Sequence, residues 1–340
     1  MKKIPRGYII PSAAYTIPKR IFHYIPAQEI NRIPQVGDVV YGKVEATGQH
    51  TTIENCNGRI HGVHDNTRSL FVFGNRYAPD YYEGKIPTKD EIYIHTDLLA
   101  RSGIIGNVIS KNVNIKEPTK IKIIGWVTDK NDEILNTLNY TKIKPSKTHK
   151  KNKVILSIGT AMNSGKTTTA KYCCWALSKA GHPVTATKIT GTASLKDILG
   201  MQDCGAEKIS DFTYMGYPST YMMDQRELIT MFNLFDQSNN ETYWVIEFAD
   251  GILQRETKML LQSEDVTKRL HKILFSAHDT FAALGGINIL KNEFGLVPDL
   301  ISGIISGSPL LINEFRGYSS IPIINNMDPK DFKDVIDIIL

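Results

Sequence analysis

Cysteine is scarce in this chain of 340 residues, which contains four. No CxxC pair and no Cys/His ligand spacing occurs, so the sequence gives no support to a disulfide framework or a structural zinc site. Cys173 and Cys174 are adjacent in a predicted helix, where neighbouring side chains diverge. We therefore predict that the cysteines are small buried residues in a protein of a reducing compartment.

Long apolar runs are also missing. No stretch approaches the roughly twenty apolar residues of a membrane-spanning helix, which argues against a membrane protein. Residues 1–20 begin with basic side chains, but their apolar run is short and is broken by Pro11 and Pro18, unlike a signal peptide. We expect a cytoplasmic protein without a membrane partner.

Charge is distributed unevenly along a chain of ordinary globular composition, with 41% hydrophobic and 22% charged residues. Residues 1–150 contain 22 lysines and arginines against 14 acids, a net charge of +8, whereas the remaining residues contain 18 against 21, a net charge of −3. The basic half therefore admits a nucleic acid, another anion or a protein partner. Six lysines crowd a Pro- and Ser-containing segment around residues 141–152, which we interpret as a solvated linker: Lys142, Lys144, Lys147, Lys150, Lys151 and Lys153.

Short alternating segments fill the first half of the chain. Residues 39–46, 50–55 and 58–64 each fit a strand, and turn residues separate them. The same pattern continues toward residue 140 with few helical signals. It predicts a smaller β-rich, barrel-like domain over residues 1–140. One of its segments, VGDVVYGKV, resembles the first strand of S1-type OB domains.

From Lys153 onward, apolar strands alternate with helices. Continuous apolar strands joined by helices indicate a mostly parallel sheet covered on both faces. The sequence thus predicts an α/β domain over residues 153–340, in which ligands bind beyond the carboxyl ends of the strands. Strands are predicted at 154–160, 183–189, 242–249, 271–277, 299–306 and 321–325, and helices at 165–181, 222–236, 254–271, 280–294 and 328–339.

A glycine-rich loop joins the first of these strands to the first helix. The sequence Gly159-Thr160-Ala161-Met162-Asn163-Ser164-Gly165-Lys166-Thr167 is typical of a phosphate-binding P-loop. Backbone N–H groups of such a loop face phosphate oxygens, and the helix N-terminus adds partial positive charge. Lys166 is placed to reach the β- and γ-phosphates, and the Thr167 hydroxyl to ligate Mg²⁺. We predict that ATP and Mg²⁺ bind here, with the nucleotide held by Gly159, Asn163, Ser164, Gly165, Lys166, Thr167 and Thr168.

The first glycine of this loop lies one residue earlier than in the usual G-x-x-x-x-G-K-[ST] spacing. This shifted form resembles the dethiobiotin synthetase and cobyrinic acid a,c-diamide synthase branch of P-loop enzymes, and the likeness covers about residues 153–327. It implies a P-loop NTPase sheet and a second catalytic lysine at the end of the second strand, here Lys188. A lysine at that position is alternatively an ordinary surface residue. We also expect a homodimer.

Acidic residues at further strand ends match positions of the same branch. The third long strand ends in Glu247, which the resemblance assigns to Mg²⁺, since a buried carboxylate needs a partner. Asp250 is either a second carboxylate of the site or a cap of the next segment. A loop aspartate near the metal or substrate corresponds to Asp211, with Asp203 in reserve. The predicted catalytic residues are Lys166, Lys188 and Glu247, and the predicted metal ligands are Thr167, Glu247 and Asp211.

The substrate is expected beside the loop that follows the second strand. The residues predicted to contact it are Thr190, Gly191, Thr192 and Asp250. Residues 216–221 form either a substrate-side loop or a simple structural turn. The branch places an Asn after a late strand to read adenine, whereas this chain has Ser306-Gly307-Ser308-Pro309. The choice among ATP, GTP and CTP therefore stays open, although the absence of NKxD argues against a GTPase.

Two features of the first half allow contrasting interpretations. Residues 74–82 combine an arginine with three tyrosines, which suits either an anion- or base-binding surface or a packed corner. His50, His61 and His64 are too loosely spaced to predict a metal site.

Three functions fit these features. The first is a Mg²⁺-dependent ATP-binding enzyme that couples hydrolysis or phosphoryl transfer to a small-molecule acceptor, as a ligase or kinase does. The second is a regulatory ATPase switch that acts on a partner. The third is a nucleic-acid-binding ATPase or polynucleotide kinase that uses the basic β-domain. We favour the first.

Overall fold

A computed structural model of the chain describes residues 1–18, 21–88, 94–129, 131–146, 152–326, 328, 330 and 332–340. Within the predicted basic linker, residues 147–151 lie outside the described residues, and with them Lys147, Lys150 and Lys151. The chain divides into two compact units. The first comprises Met1–Lys142, Thr192–Lys196 and Phe212–Met222, and the second comprises Ile143–Gly191, Asp197–Asp211 and Met223–Leu340.

The first unit is built from short β-strands. They are β1 (Lys2–Lys3), β2 (His23–Pro26), β3 (Val39–Ala46), β4 (Thr52–Glu54), β5 (Ile60–Gly62), β6 (Arg68–Phe73), β7 (Arg76–Tyr77), β8 (Tyr82–Lys85), β9 (His95–Ala100), β10 (Ile104–Lys111) and β11 (Lys120–Thr128). Strands β4 and β5 form an antiparallel hairpin. The others form one sheet in the order β1-β2-β11-β3-β6-β10-β8-β7, and β9 pairs with both β10 and β11.

Those two pairings of β9 close the sheet on itself. The circuit β11-β3-β6-β10-β9-β11 is a five-stranded barrel, in which only β6 and β10 run parallel. Alternate side chains of each strand point inward, and they form a buried apolar core that includes Val40, Val44, Phe71, Ile105 and Trp126. The prediction of a β-rich, barrel-like first half is confirmed.

The second unit contains a six-stranded parallel sheet between helices. Its strands are β12 (Lys153–Gly159), β13 (Val184–Lys188), β14 (Lys208–Asp211), β15 (Tyr243–Glu247), β16 (Leu270–Ser276) and β17 (Leu300–Ser302). They are ordered β14-β13-β15-β12-β16-β17. The helices are α1 (Lys166–Lys179), α2 (Leu195–Asp203), α3 (Gln225–Ser238), α4 (Arg255–Leu261), α5 (Glu264–Thr267), α6 (Thr280–Phe294), α7 (Pro309–Arg316) and α8 (Phe332–Ile339).

Helices cover both faces of this sheet, as predicted for an α/β fold. On one face, α1 buries Ala170, Cys173 and Leu177 against Val245 of the sheet, and α8 joins the same core. On the other face, the Phe232 ring of α3 packs 5.4 Å from the ring of the buried Trp244. Cys174 is also buried in the α1 core, which agrees with a structural role. Among the described residues, no helix combines the length and the apolar character that crossing a membrane requires.

Several predicted elements of the second unit were wrong in extent. The strand predicted at 299–306 stops at Ser302, because Gly303 turns the backbone into a short 3₁₀ helix over Ile304–Gly307. The strand predicted at 321–325 is reduced to one bridge between Ile301 and Ile323. The helix predicted at 254–271 is divided into α4 and α5, and β16 already begins at Leu270. Strand β14 and helices α2 and α7 were not predicted.

Candidate functional site

The loop between β12 and α1 bends sharply where it approaches the helix. Asn163 and Gly165 both have positive φ, of 60° and 105°, and Gly165 stands at the N-terminus of α1. A side chain is disfavoured at the second of these, because a φ of 105° is a conformation that suits glycine. The start of α1 therefore presents its unpaired backbone N–H groups to the space enclosed by the loop, as an anion site requires.

Close packing explains the glycines around this loop. A Cβ on Gly159 would lie 2.6 Å from the carbonyl oxygen of Ser276. A Cβ on Gly165 would lie 2.7 Å from the Cα of Gly303, which follows β17. Gly303 itself has φ 95° and ψ −153°, and its own Cβ would collide with the carbonyl oxygen of Ser164. Gly303, which was not predicted from the sequence, thus packs directly against the backbone of the loop at Ser164 and Gly165.

Lys166 is the first residue of α1 and is almost fully buried. Its Nζ donates a hydrogen bond to the carbonyl oxygen of Ala161, 2.6 Å away, so that the side chain lies across its own loop. Burial lowers the pKa of Lys166, and the nearby carboxylates of Glu247 and Asp250 oppose that shift. A cation held in this way gains a strong partner whenever an anion occupies the loop.

Glu247 ends β15 next to the loop. The Thr167 hydroxyl donates to its Oε1 at 3.0 Å, and the Nζ of Lys188 lies 3.8 Å from the same oxygen. Its Oε2 is buried and has no hydrogen-bond partner within the described part of the chain. Burial raises the pKa of Glu247, whereas the Lys188 and Lys166 cations lower it. A buried carboxylate oxygen without a partner is costly unless a ligand satisfies it.

Lys188 ends β13 and is held between two carboxylates. Its Nζ lies 2.5 Å from Oδ2 of Asp197 and 3.8 Å from Oε1 of Glu247. Burial opposes the charge of this lysine, but the two carboxylates outweigh burial and raise its pKa. Lys188 is therefore a permanently charged group inside the site and not the ordinary surface residue of the alternative interpretation. Asp197, on α2, was not foreseen from the sequence.

Three predicted site residues lie at the same level of the sheet. Lys188 pairs in register with Asp211 of β14 on one side and with Glu247 of β15 on the other. Asp211 is buried, whereas Asp203 is exposed at the end of α2. Because two strand spacings of about 4.8 Å separate Asp211 from Glu247, Asp211 lies closer to Lys188 than to Thr167. The register therefore places Lys188 between Asp211 and Glu247. Of the three predicted metal ligands, Thr167 and Glu247 are in contact, and Asp211 lies on the far side of Lys188.

The residues predicted around the substrate have different surroundings. The Thr190 hydroxyl bonds both the N–H and the carbonyl of Ala249, and so it ties the loop after β13 to the loop after β15. Gly191 has φ 131°, and a Cβ there would lie 3.2 Å from Cε of Lys188. Thr192 instead belongs to the first unit, where it bridges Ser219. Asp250 acts on Lys166 and Lys188 through its charge.

Residues 216–221 and 306–309 have structural roles. In residues 216–221, the Gly216 carbonyl accepts a hydrogen bond from the Thr137 hydroxyl at 2.6 Å, and Ser219 and Thr220 are buried. This supports the turn interpretation of that segment. Ser308 caps α7, since its hydroxyl accepts a hydrogen bond from the N–H of Leu311.

The arginine-tyrosine corner of the first unit is packed. The Arg76 guanidinium contacts the carbonyl of Leu99 and lies 5.0 Å from the centre of the Tyr81 ring. Its Nη1 is also 3.0 Å from Nε2 of His50, and burial together with the Arg76 charge lowers the pKa of His50 to about 4. The packed alternative therefore holds for Arg76.

Comparisons with known proteins do not assign this chain to a family. No protein-family model and no curated protein matches the chain. Among solved structures, a nucleotide-binding protein from Archaeoglobus fulgidus in complex with ADP is 11% identical, with a TM-score of 0.36, over 55% of this chain and 85% of that one. The signal recognition particle receptor FtsY from Elizabethkingia anophelis in complex with GDP is 14% identical, with a TM-score of 0.33, over 49% of this chain and 53% of that one. Such scores do not identify the activity or the substrate.

The topology of the second unit identifies the class of its fold. A parallel sheet with helices on both faces, and a glycine-rich loop between β12 and α1, make this a P-loop NTPase-like fold. The prediction of that fold class is confirmed, and the dethiobiotin synthetase branch stays a hypothesis.

Proposed function

We propose that the second unit is a Mg²⁺-dependent ATPase site that couples hydrolysis or phosphoryl transfer to a small-molecule acceptor, in the manner of the dethiobiotin synthetase branch. The observation that carries this proposal is the convergence of three groups at one point. The Thr167 hydroxyl and the Lys188 ammonium both lie next to the buried Glu247 carboxylate, at 3.0 and 3.8 Å.

These residues fit a magnesium ion. A hydroxyl and a carboxylate are hard oxygen donors of the kind that Mg²⁺ prefers, and the ion commonly takes only one or two of them from the protein. The buried Oε2 of Glu247 has no other partner among the described residues. Thr167 and Glu247 would hold the ion, which would supply charge neutralisation for the phosphate oxygens when bound. Asp211 is a further candidate ligand, but it lies beside Lys188 and farther from Thr167.

The lysines would stabilise the charge of the transferring phosphoryl group. The bond from the γ-phosphorus to the bridging oxygen of ATP would break, ADP would leave with the bonding electron pair, and an acceptor oxygen would form the new bond. A water or hydroxyl acceptor would release its proton to solvent, whereas a carboxylate acceptor has no proton to lose. Lys166, at the end of the glycine-rich loop, and Lys188, at the end of β13, would neutralise the negative charge of the transferring phosphoryl group from two directions. Since Asp197 and Glu247 keep Lys188 protonated, it acts as a fixed cation and not as a base.

Glu247→Gln tests the metal assignment. The amide keeps the size of the side chain but loses the negative charge, so we expect Mg²⁺ to no longer increase the affinity for ATP, whereas in the wild type it does so at least about tenfold. The measurement is an ATP titration with Mg²⁺ and with a chelator. Glu314→Gln, on an exposed carboxylate of α7, is the matched control and should behave as the wild type. Retained Mg²⁺ dependence in Glu247→Gln would remove Glu247 from the metal site.

Lys188→Met tests the electrostatic role of the second lysine. The change removes the cation between the Asp197 and Glu247 carboxylates and leaves Glu247 with the Lys166 charge alone, which should lower the free energy of unfolding by about 3 kcal/mol at neutral pH. The pKa of Glu247 is already raised by burial, and loss of the cation raises it further. A group whose pKa is higher in the folded than in the unfolded state loses stability as pH rises. The deficit should therefore be largest near about pH 8 and shrink toward about pH 5, as denaturant unfolding at several pH values would record.

The control for that experiment is Asp197→Asn, which removes one carboxylate and keeps Lys188 paired with Glu247 at 3.8 Å. It should cost less stability than Lys188→Met at about pH 8. A pH-independent deficit in Lys188→Met would mean that packing, and not charge, is what the lysine supplies.

A further inference from the structure

A row of cations crosses the outside of the barrel in the first unit. Lys43 of β3 pairs in register with Lys122 of β11 on one side and with Arg68 of β6 on the other. Their inward neighbours Val44 and Ile121 belong to the buried core, so the three cations point outward. Arg68 and Lys122 are exposed and Lys43 is half-buried. These three residues form what we call the cation row, which spans about 10 Å.

The charges of the row are poorly compensated. Like charges directly opposite each other on neighbouring strands destabilise a sheet. Lys43 donates to the neutral Asn66 amide at 2.7 Å, and neither Arg68 nor Lys122 forms an ion pair within the described part of the chain. The nearby acids have other partners: Glu45 lies 2.8 Å from His95, and Asp97 lies 2.6 Å from Lys120.

Tyrosine rings lie on the same outer face beside the row. Tyr41 precedes Lys43 by two residues on β3, and its ring is 5.4 Å from that of Tyr24 and 6.5 Å from that of Tyr8. We call these three residues the tyrosine cluster. Tyr41 is buried, whereas Tyr8 and Tyr24 are half-buried, so each of these two residues is partly accessible. Gly125 provides the space for the Tyr24 ring, since a Cβ there would collide with it.

We propose that this outer face of the barrel binds single-stranded nucleic acid, with the cation row on the phosphates and the accessible rings of the tyrosine cluster against the bases. Cations bind any polyanion, but aromatic rings beside them favour a ligand whose charges alternate with flat, unpaired rings. A duplex hides the faces of its bases, and a lipid surface or an acidic peptide offers none. The inference concerns the first unit and does not depend on the nucleotide site.

The test uses the full chain and a fluorescently labelled oligothymidylate of about twenty nucleotides, followed by anisotropy over a range of salt concentrations. The variant combines Lys43→Gln, Arg68→Gln and Lys122→Gln. We expect it to bind at least tenfold more weakly at low salt. Its slope of log K against log salt should fall by about 2, since each cation on a single strand contributes about 0.7. The matched control removes three exposed cations of the second unit: Lys291→Gln, Arg316→Gln and Lys330→Gln.

A second variant separates nucleic acid from other polyanions. Tyr24→Leu should weaken oligothymidylate binding by about tenfold through lost stacking while leaving the salt slope unchanged, and it should leave the binding of heparin unchanged. The cation-row variant should unfold at the same temperature as the wild type or at a higher one, because repulsion is relieved. A loss of binding in it is then not a loss of fold.

Three results would overturn the proposal. The first is no oligothymidylate binding by the wild type at low salt. The second is equal weakening in the cation-row variant and its second-unit control. The third is unchanged oligothymidylate binding in a folded Tyr24→Leu variant, together with equally tight binding to heparin or anionic vesicles, which would make the face a general polyanion or membrane surface.

Discussion

We expect Lys166→Met to reduce the proposed Mg²⁺-dependent ATP turnover by at least about a hundredfold, because the proposed site aims this charge at the phosphates of the transition state. The side chain is almost fully buried, and within the described ranges its ammonium donates to the Ala161 carbonyl at 2.6 Å and lies near the Glu247 and Asp250 carboxylates. Methionine keeps most of the volume of the apolar stem. Phosphate release under saturating ATP is the appropriate measurement.

Folding and catalysis should respond differently to this change. Burial lowers the pKa of Lys166, which means that its charge opposes folding in the absence of ligand. The variant should therefore unfold at the same temperature as the wild type or at a higher one. Lys291→Met, on an exposed lysine of α6, should change neither quantity. Full turnover in a folded Lys166→Met variant would show that the loop after β12 is not the phosphate site.

Gly303→Ala should disrupt the same loop from the outside. Its φ of 95° and ψ of −153° belong to a region that essentially only glycine adopts. A Cβ there would also lie 3.0 Å from both the nitrogen and the carbonyl oxygen of Ala277, and would collide with the carbonyl of Ser164. Backbone strain and steric overlap together should lower the free energy of unfolding by about 4 kcal/mol. Any folded fraction should bind ATP more weakly, because the loop is displaced.

Gly285→Ala provides the contrast. Gly285 lies in α6, and a Cβ there would meet nothing within 4 Å. Alanine in a helix interior is favoured over glycine by up to about 1 kcal/mol, so this variant should be as stable as the wild type or more stable. Denaturant unfolding of both variants makes the comparison. Equal stability of Gly303→Ala and the wild type would contradict the packing described for Gly303 and the loop.

The glycine-rich loop, the strand before it and the helix after it could be predicted from local sequence. A strand, a Gly-x₅-Gly-Lys-Thr loop and a helix are contiguous, so their spatial relation follows from their spacing in the chain. The ends of β13 and β15 could also be located, because Lys188 follows a β-branched segment with Val184, Thr185 and Thr187, and Glu247 follows an apolar run. Parallel strands bring such ends to one edge, and the register places these two residues side by side.

What could not be predicted depends on contacts between distant segments. Asp197 lies in the first turn of α2, where an acid is already favoured by the helix dipole, and nothing local reveals that its partner is Lys188. Gly303 resembles any glycine after a strand, and its role depends on the backbone of Ser164. Strand β14 was not predicted, because the segment Lys208–Asp211 is short and mostly polar. Its pairing with β13 is what makes it a strand.

The sequence predicted a barrel-like domain, but not which strand pairings close the barrel. The sequence patterns of β3 and β11 indicate strands, but the strand that closes the circuit, β9, pairs with β10 and β11 over only a few residues each. The outward residues carry even less information about pairing. The register that aligns Lys122, Lys43 and Arg68 becomes apparent only in three dimensions.

The most direct measurement of the central claim is a calorimetric titration of Mg²⁺ and ATP into the full chain, beside the same titration of Lys166→Met. The proposed site predicts one ATP per chain for the wild type, bound more tightly with Mg²⁺ than with a chelator, and binding at least about tenfold weaker in the variant, since a charge-assisted contact to phosphate is lost. No ATP binding by the wild type, or equal affinity in a folded Lys166→Met variant, would contradict it.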